Sequence, residues 1–353
     1  MADTTTTDAL EQQLLNDLQT AFPVVPEPFA ALGQRLGLSG ADVLTRITRL
    51  KADKVIRQVS AIFDSRRLGY RSSLVAMKLP VERVDAAAAI ISLHPGVSHN
   101  YRRNHAYNLW FTIAVPPPRE VEDEVAVLAE KVHAEQARLL PTLRLFKIGV
   151  NFDMTGEAEA SATEREEDSL GLRAAASWRE GEAPANLSAA QRLAVARLQR
   201  DLPLVDRPFA ALAEPGLTEA DLLTQAEAFL ADGTMRRFAA VLHHRKAGFG
   251  ANAMGVWAVP DDQIEPLGEA MARFRAVSHC YHRPSYPDWP FNLFTMIHGR
   301  DAADCEAAAA AIAAATGLTG YHLLYSDKEY KKTRVRYFAE DDAFDVRGLP
   351  EIE

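Results

Sequence analysis

Residues 101–112 read YRRNHAYNLWFT, and in that stretch Arg102, Arg103 and His105 stand among Tyr101, Tyr107, Trp110 and Phe111. Guanidinium groups recognise carboxylate or phosphate through paired hydrogen bonds. Aromatic faces suit a flat ring, and an imidazole gives or takes a proton near neutral pH. Together these side chains fit a planar, multiply charged anion whose chemistry involves proton transfer. Alternation along a strand puts His99, Tyr101, Arg103 and His105 on one face and Ser98, Asn100, Arg102 and Asn104 on the other. Both faces are polar, although a sheet carrying helices must bury one of them. Burial of such groups is costly unless a charged partner enters.

The same stretch occurs twice. VSHNYRR at 97–103 returns as VSHCYHR at 277–283, and YNLWFTI returns as FNLFTMI, so His279, Tyr281 and Arg283 repeat the first face. PFAAL at 28–32 recurs at 208–212, while Arg66, Gly69 and Tyr70 recur as Arg245, Gly248 and Phe249. Near-constant spacing makes this one duplicated unit of roughly 150 residues, a pseudo-symmetric pair within one chain. Further cations lie upstream of each hairpin: Arg66, Arg67 and Arg71 in the first copy, His243, His244, Arg245 and Lys246 in the second, with Arg57 matched by Arg236. The copies have diverged. The second inserts PSYPDW and carries Ser285 where the first has His105, which predicts one principal slot or two unequal ones.

The elements that must position these residues follow from periodicity. Each copy begins with three short helices, the third capped by Ser39 in the first copy, and then a strand-like run, the outline of a winged helix-turn-helix. The remainder alternates β-α-β-β-α-β, the ferredoxin-like order. In the first copy the helix at 118–136 leads to a last strand at LRLFKIGVNF; in the second the last strand is YHLLYSDKEYKK, with KEYKKTR at 328–334 read as a solvated tail. The fold class is therefore α+β. Helix-turn-helix domains are expected at residues 8–60 and 188–238, ferredoxin-like domains at 61–154 and 239–340, and a Glu-, Ala- and Ser-rich linker at 155–187.

Composition excludes several classes. With 48% hydrophobic and 25% charged residues the chain is of ordinary globular type, and it lacks an apolar run of membrane-spanning length. Its start lacks the pattern of a secretory signal, and two cysteines do not make a disulfide framework, so the cytoplasm is the expected compartment. A net charge of -9 works against nonspecific binding to nucleic acid or anionic membrane. The first helix-turn-helix offers Arg46, Arg49, Lys51 and Lys54, but residues 217–235 hold Glu219, Asp221, Glu227 and Asp232 with no Lys or Arg. A tandem DNA reader with one acidic half neutralises phosphates poorly.

A helix-turn-helix followed by a ferredoxin-like domain resembles the Lrp/AsnC regulators, the match lying in LSGADVLTRITRLKADKVIRQV at 38–59. More specifically, FDSRRLGY and VSHNYRRNHAYNLWFT, paired with HHRKAGFGANAMGVW and SHCYHRPSYPDWPFNLFTMIHG, resemble the siroheme decarboxylases in their fused D-L form. These are Lrp/AsnC-like enzymes of heme d1 biosynthesis and of the alternative heme pathway. The resemblance implies loss of the carboxyls of the C12 and C18 acetates to give 12,18-didecarboxysiroheme, with no cofactor beyond the iron of the siroheme substrate. His105, His244 and Tyr101 are the expected catalytic residues. Arg57, Arg66, Arg102, Arg103, His243, Arg245, Tyr281, Arg283, Trp110 and Trp289 are expected to bind substrate, and His298 is a candidate axial ligand to its iron. Neither DNA nor membrane is expected as a partner, and the sequence leaves open a higher homo-oligomer of the pseudo-dimer. The alternative reading is an Lrp/AsnC-type ligand-responsive transcription regulator.

Overall fold

The computed structural model describes residues 9–20, 22–148, 163, 184–242, 251–338 and 344–352. In chain order the first copy supplies α1 (Ala9–Thr20), α2 (Pro28–Leu36), α3 (Gly40–Ala52), β1 (Ile56–Phe63), β2 (Arg71–Lys78), α4 (Val84–Leu93), β3 (Val97–Arg103), β4 (Leu109–Val115), α5 (Val121–Lys131), β5 (Gln136–Leu140) and β6 (Arg144–Ile148). The second supplies α6 (Ala189–Leu198), α7 (Pro208–Leu212), α8 (Glu219–Ala231), β7 (Met235–Leu242), β8 (Ala251–Trp257), α9 (Ile264–Ala272), β9 (Val277–His282), β10 (Leu293–Gly299), α10 (Ala302–Thr316) and β11 (Tyr321–Lys332).

These elements form two compact units. The helical unit takes the described residues of 1–70, 183–247 and 336–342. Its helices start where local chemistry satisfies their first N–H groups. Ser39 accepts from Asp42 N and Thr218 from Asp221 N in matched capping boxes. Pro28 and Pro208 open α2 and α7, and Gly37, at φ 68°, ends α2. The strands β1 and β7 pair antiparallel, Val59 opposite Ala240. Leu14, Phe29, Ile47, Leu198, Phe209 and Phe229 share one core, so the two helix-turn-helix copies bury each other's apolar faces. The expected boundaries at 60 and 238 fall inside β1 and β7. The unit instead runs on to Tyr70, whose ring packs edge-on against Tyr337 and whose hydroxyl accepts from Phe338 N. Of the expected linker, only Thr163 and residues 184–187 lie among the described residues.

The second unit is built on one nine-stranded antiparallel sheet, in the order β5-β2-β4-β3-β11-β8-β10-β9-β6. Each copy contributes the ferredoxin-like arrangement, β5-β2-β4-β3 from the first and β11-β8-β10-β9 from the second. The copies then exchange strands. Residues 321–325 of β11 pair with β8 of their own copy, and Ser326–Lys332 continue onto β3 of the other. In the first copy β5 pairs with β2, and β6 crosses to β9. Two expectations are corrected here. The fourth strand of the first copy's ferredoxin-like set is β5, while LRLFKI does form a strand, β6, but pairs with β9 of the second copy, and residues 328–332 are a paired strand rather than a solvated tail. Unpaired strand edges are a liability, and both copies cover theirs with the partner's chain. Only residues 141–143 separate β5 from β6, so one stretch supplies both margins of the sheet.

Helices cover one face. Over the first copy, Val84, Ala88 and Ile91 of α4 and Val125 and Leu128 of α5 pack on Val75, Met77, Phe111 and Ile113. Over the second, Ile264, Met271, Cys305 and Ile312 pack on Trp257, Leu293 and Ile297. Each fully buried aliphatic side chain contributes roughly 1.5–3 kcal/mol, which leaves the opposite face free to carry polar residues. No helix among the described residues is long and apolar enough to cross a membrane.

Candidate active site

The face of the sheet turned away from the helices carries the repeated polar residues. Asn100 faces the other way, its amide donating to Ala88 O and Ser92 Oγ of α4, and Cys280 at the equivalent position is buried among the helices of the second copy. Alternation therefore turns His99, Tyr101 and Arg103, and likewise His279, Tyr281 and Arg283, to the helix-free side. The first hairpin is anchored by Asn108, whose amide exchanges two bonds with the backbone of Leu79, and the second by Asn292 with Val259.

Arg103 and Arg283 are the buried members of each set. Nη1 of Arg103 donates to Leu324 O at 2.8 Å and Nη1 of Arg283 donates to Leu140 O. Each guanidinium lies over a tyrosine, Arg103 5.7 Å from Tyr101 and Arg283 4.6 Å from Tyr281. Nε of both lacks a hydrogen-bond partner, and among the described residues no carboxylate pairs with either. Burial pushes each guanidinium down to about 10, partly offset by its tyrosine. Two cations without counter-charges on one face are the arrangement a polyanion stabilises. Nearer solvent, His99 Nδ1 bonds Ser98 Oγ at 3.0 Å and His279 Nδ1 bonds Ser278 Oγ at 2.8 Å. Ser278 Oγ also bonds His298 Nε2 at 2.7 Å, so ligation of an iron by that nitrogen means exchanging the serine for the metal.

The hairpins break the symmetry. In the first, half-buried His105 accepts from Tyr107 N at its Nδ1, 3.0 Å away, which leaves the ring proton on Nε2. Its ring meets Trp289 edge-on at 5.2 Å and stands 6.3 Å from His322. Burial, then His322, holds its pKa below the ordinary imidazole value. In the second hairpin, where Ser285 stands at the aligned position, the inserted turn supplies Asp288. Arg138 forks onto it at 3.0 and 2.9 Å, and Tyr107 donates its hydroxyl to it. Between them Trp289 descends among Tyr107, Trp110, Phe291 and Phe294.

The expected residues thus fall into groups. Tyr101, Arg103, Tyr281, Arg283 and His298 line the helix-free face, with Trp110 and Trp289 fully buried in its aromatic floor and His105 at its edge. Arg102 is engaged by Asp327, both of whose oxygens accept from Nε, and by Asp85. Arg57 and Arg66 belong to the helical unit, where Arg66 and Arg236 share buried Asp64. Burial raises the Asp64 carboxyl, but those two arginines outweigh it and hold the group down at about 2. His243, His244 and Arg245 lie outside the described residues. Sequence reading missed His322, Arg138 and Asp288. They lie on β11, on β5 and in the inserted turn, and only the strand order, in which β5 and β11 take matching places, signals the first two.

The AsnC-like ligand binding domain profile matches residues 67–147 and 246–331, and the siroheme decarboxylase NirDL-like HTH domain profile matches 11–57 and 191–236. A siroheme decarboxylase of Hydrogenobacter thermophilus is 38% identical over 331 residues, 93% of this chain and 95% of the relative. The crystal structure of the siroheme decarboxylase NirDL in co-complex with an iron-uroporphyrin III analogue aligns with a TM-score of 0.72 at 34% identity, covering 94% of this chain and 96% of that one. The siroheme decarboxylase beta subunit of Methanosarcina barkeri is 48% identical over 140 residues, 39% of this chain and 92% of the subunit. The chain belongs to the siroheme decarboxylase family.

Proposed function

We propose that this chain decarboxylates the C12 and C18 acetate side chains of siroheme, giving 12,18-didecarboxysiroheme in heme d1 or alternative heme biosynthesis, in the cytoplasm. The observation that carries the reading is the pair of buried arginines, Arg103 and Arg283, which lack carboxylate partners among the described residues and lie on an aromatic-floored face. A macrocycle bearing acetates and propionates supplies the missing counter-charges, while Trp110 and Trp289, both fully buried, pack beneath the surface that would meet a flat ring. The family resemblance and the porphyrin-analogue complex of the aligned structure support the same substrate class.

The chemistry needs little else. When an acetate loses carbon dioxide, the electron pair of the broken C–C bond passes to the methylene carbon and delocalises into the ring. One proton then makes that carbon a methyl group. The net change is R–CH2–COOH to R–CH3 and CO2, without an oxidant and with no cofactor besides the iron that the substrate carries. His105 is the proposed proton donor. Its depressed pKa and the Tyr107 N–H on Nδ1 disfavour the imidazolium, so a second proton, taken up from solvent when the bound polyanion stabilises the charged ring, is released readily. Tyr101 is proposed to hydrogen-bond a carboxylate beside Arg103, and His244 is a second proposed donor.

Siroheme added under anaerobic conditions tests the proposal. Release of carbon dioxide with a product lighter by two CO2 is the expected result. A shift of the porphyrin absorption band without mass change would instead mark a carrier or sensor.

A further inference from the structure

His105 belongs to the first copy, but what surrounds it is fastened from the second. Two residues hold the imidazole. Tyr107 donates its backbone N–H to Nδ1 at 3.0 Å and lays its ring 16° from coplanar at 6.3 Å, and Trp289 closes the side edge-on at 5.2 Å. Both are tied to one carboxylate. The Tyr107 hydroxyl donates to Asp288, which directly precedes Trp289. Asp288 is gripped bidentately by Arg138 of β5, whose guanidinium also lies 4.9 Å over the Tyr286 ring. Tyr286 and Trp289 exchange two backbone hydrogen bonds, of 2.7 and 2.9 Å, and the Tyr286 hydroxyl donates to Leu139 O at 2.6 Å. The turn is therefore pinned to the first copy's β5 through Arg138 and Leu139, and Trp289 is 1% exposed although Pro287, Asp288 and Pro290 around it are exposed. Arg138 occupies on β5 the place that His322 occupies on β11, two residues before Leu140 and Leu324 respectively. One side of the pseudo-symmetric pair has thus become a latch, while the other keeps two imidazoles.

We propose that Asp288 is the positioning residue of the proton donor, joining Arg138 to Tyr107 so that the second copy's turn sets Tyr107 and Trp289 around His105. The proposal rests on the reading that His105 delivers the proton. A donor displaced by a fraction of an ångström still lies beside bound substrate but transfers its proton slowly.

The test compares Asp288→Asn, Tyr107→Phe and Asp288→Glu with the unaltered chain in three measurements: anaerobic siroheme turnover, thermal melting, and the histidine-ring nitrogen shifts of 15N-labelled protein. The first two variants should lower kcat about tenfold with KM changed by less than about twofold, since positioning affects the transition state more than binding. His105 Nδ1 should lose its hydrogen-bonded acceptor shift, and Asp288→Glu should recover much of both. If Asp288→Asn does not fold, Tyr107→Phe, which keeps every ring contact, reads the same link. Unchanged kcat and unchanged His105 shifts overturn the proposal, as does a loss of activity matched by an equal loss of folded protein. An unaltered chain that binds siroheme and never releases carbon dioxide overturns the functional reading alone, because the nitrogen shifts still report whether Asp288 sets His105.

Discussion

Arg103 and Arg283 are symmetry mates in bonding as well as in sequence, the one donating to Leu324 O of β11 and the other to Leu140 O of β5. Each is thereby anchored to a strand of the other copy. Where the hairpins beyond them differ, the two cations sit in unequal surroundings, with His105 and His322 beyond the first and the Asp288 latch beyond the second.

Substitution of the first cation should therefore weaken ligand more than substitution of the second. Arg103→Gln is expected to raise the Kd for an iron porphyrin polycarboxylate by about tenfold or more, the worth of a charge-assisted hydrogen bond. Absorbance titration measures it, and equal affinities for Arg103→Gln and the parent chain would contradict a carboxylate role.

His105→Ala should bind substrate with near-normal affinity and turn over about a hundredfold more slowly, the lower range for a lost general acid. His322→Ala should leave most activity in place while moving the pH profile upward, since His322 is one of the two influences that depress the pKa of His105. Single-turnover rates across pH 5–8 separate the two.

Acid stability of the sheet unit should depend on His94. This buried ring bonds Glu124 through Nε2 at 3.1 Å and accepts from Gly96 N at Nδ1. Burial lowers its pKa below 6.5 against the pull of Glu124. The unfolded chain consequently binds the proton at higher pH than the folded one, so stability is full above 6.5 and falls as pH drops below it. Phe274 occupies the matching position of the second copy, and His94→Phe should flatten the fall, as denaturant melts at pH 7 and 5 would show.

In the helical unit the sign follows a depressed carboxylate. Asp64, held at about 2 instead of 3.8, contributes stability that is complete above 3.8 and lost as pH falls toward 2. Asp64→Asn should cost roughly 2 kcal/mol at pH 7 and little at pH 2, the difference expected from that pKa shift. Equal destabilisation at both pH values would assign the loss to packing.

The succession of helices and strands was legible because each obeys its own period, and the polar face of β3 followed from alternation alone. Strand exchange was not legible. QARLL at 136–140 continues the pattern of the helix before it, and nothing in KEYKK says that its hydrogen-bond partner is β3, more than two hundred residues earlier. The same separation concealed the surroundings of His105. Its spacing from Arg103 marked it as a candidate, but Arg138, His322 and Asp288 reach it only through tertiary pairing. Arg102 shows the converse: one residue from a face-lining arginine, it is turned by the pleat onto Asp327 and Asp85.

The brief interruption at residues 141–143 has a practical corollary. A protease nicking the chain between its duplicated parts should release no fragment, since the first piece keeps β6 hydrogen-bonded to β9 of the second and the second keeps the end of β11 hydrogen-bonded to β3 of the first. Gel filtration under native conditions would show one species, and only denaturant would reveal the cut.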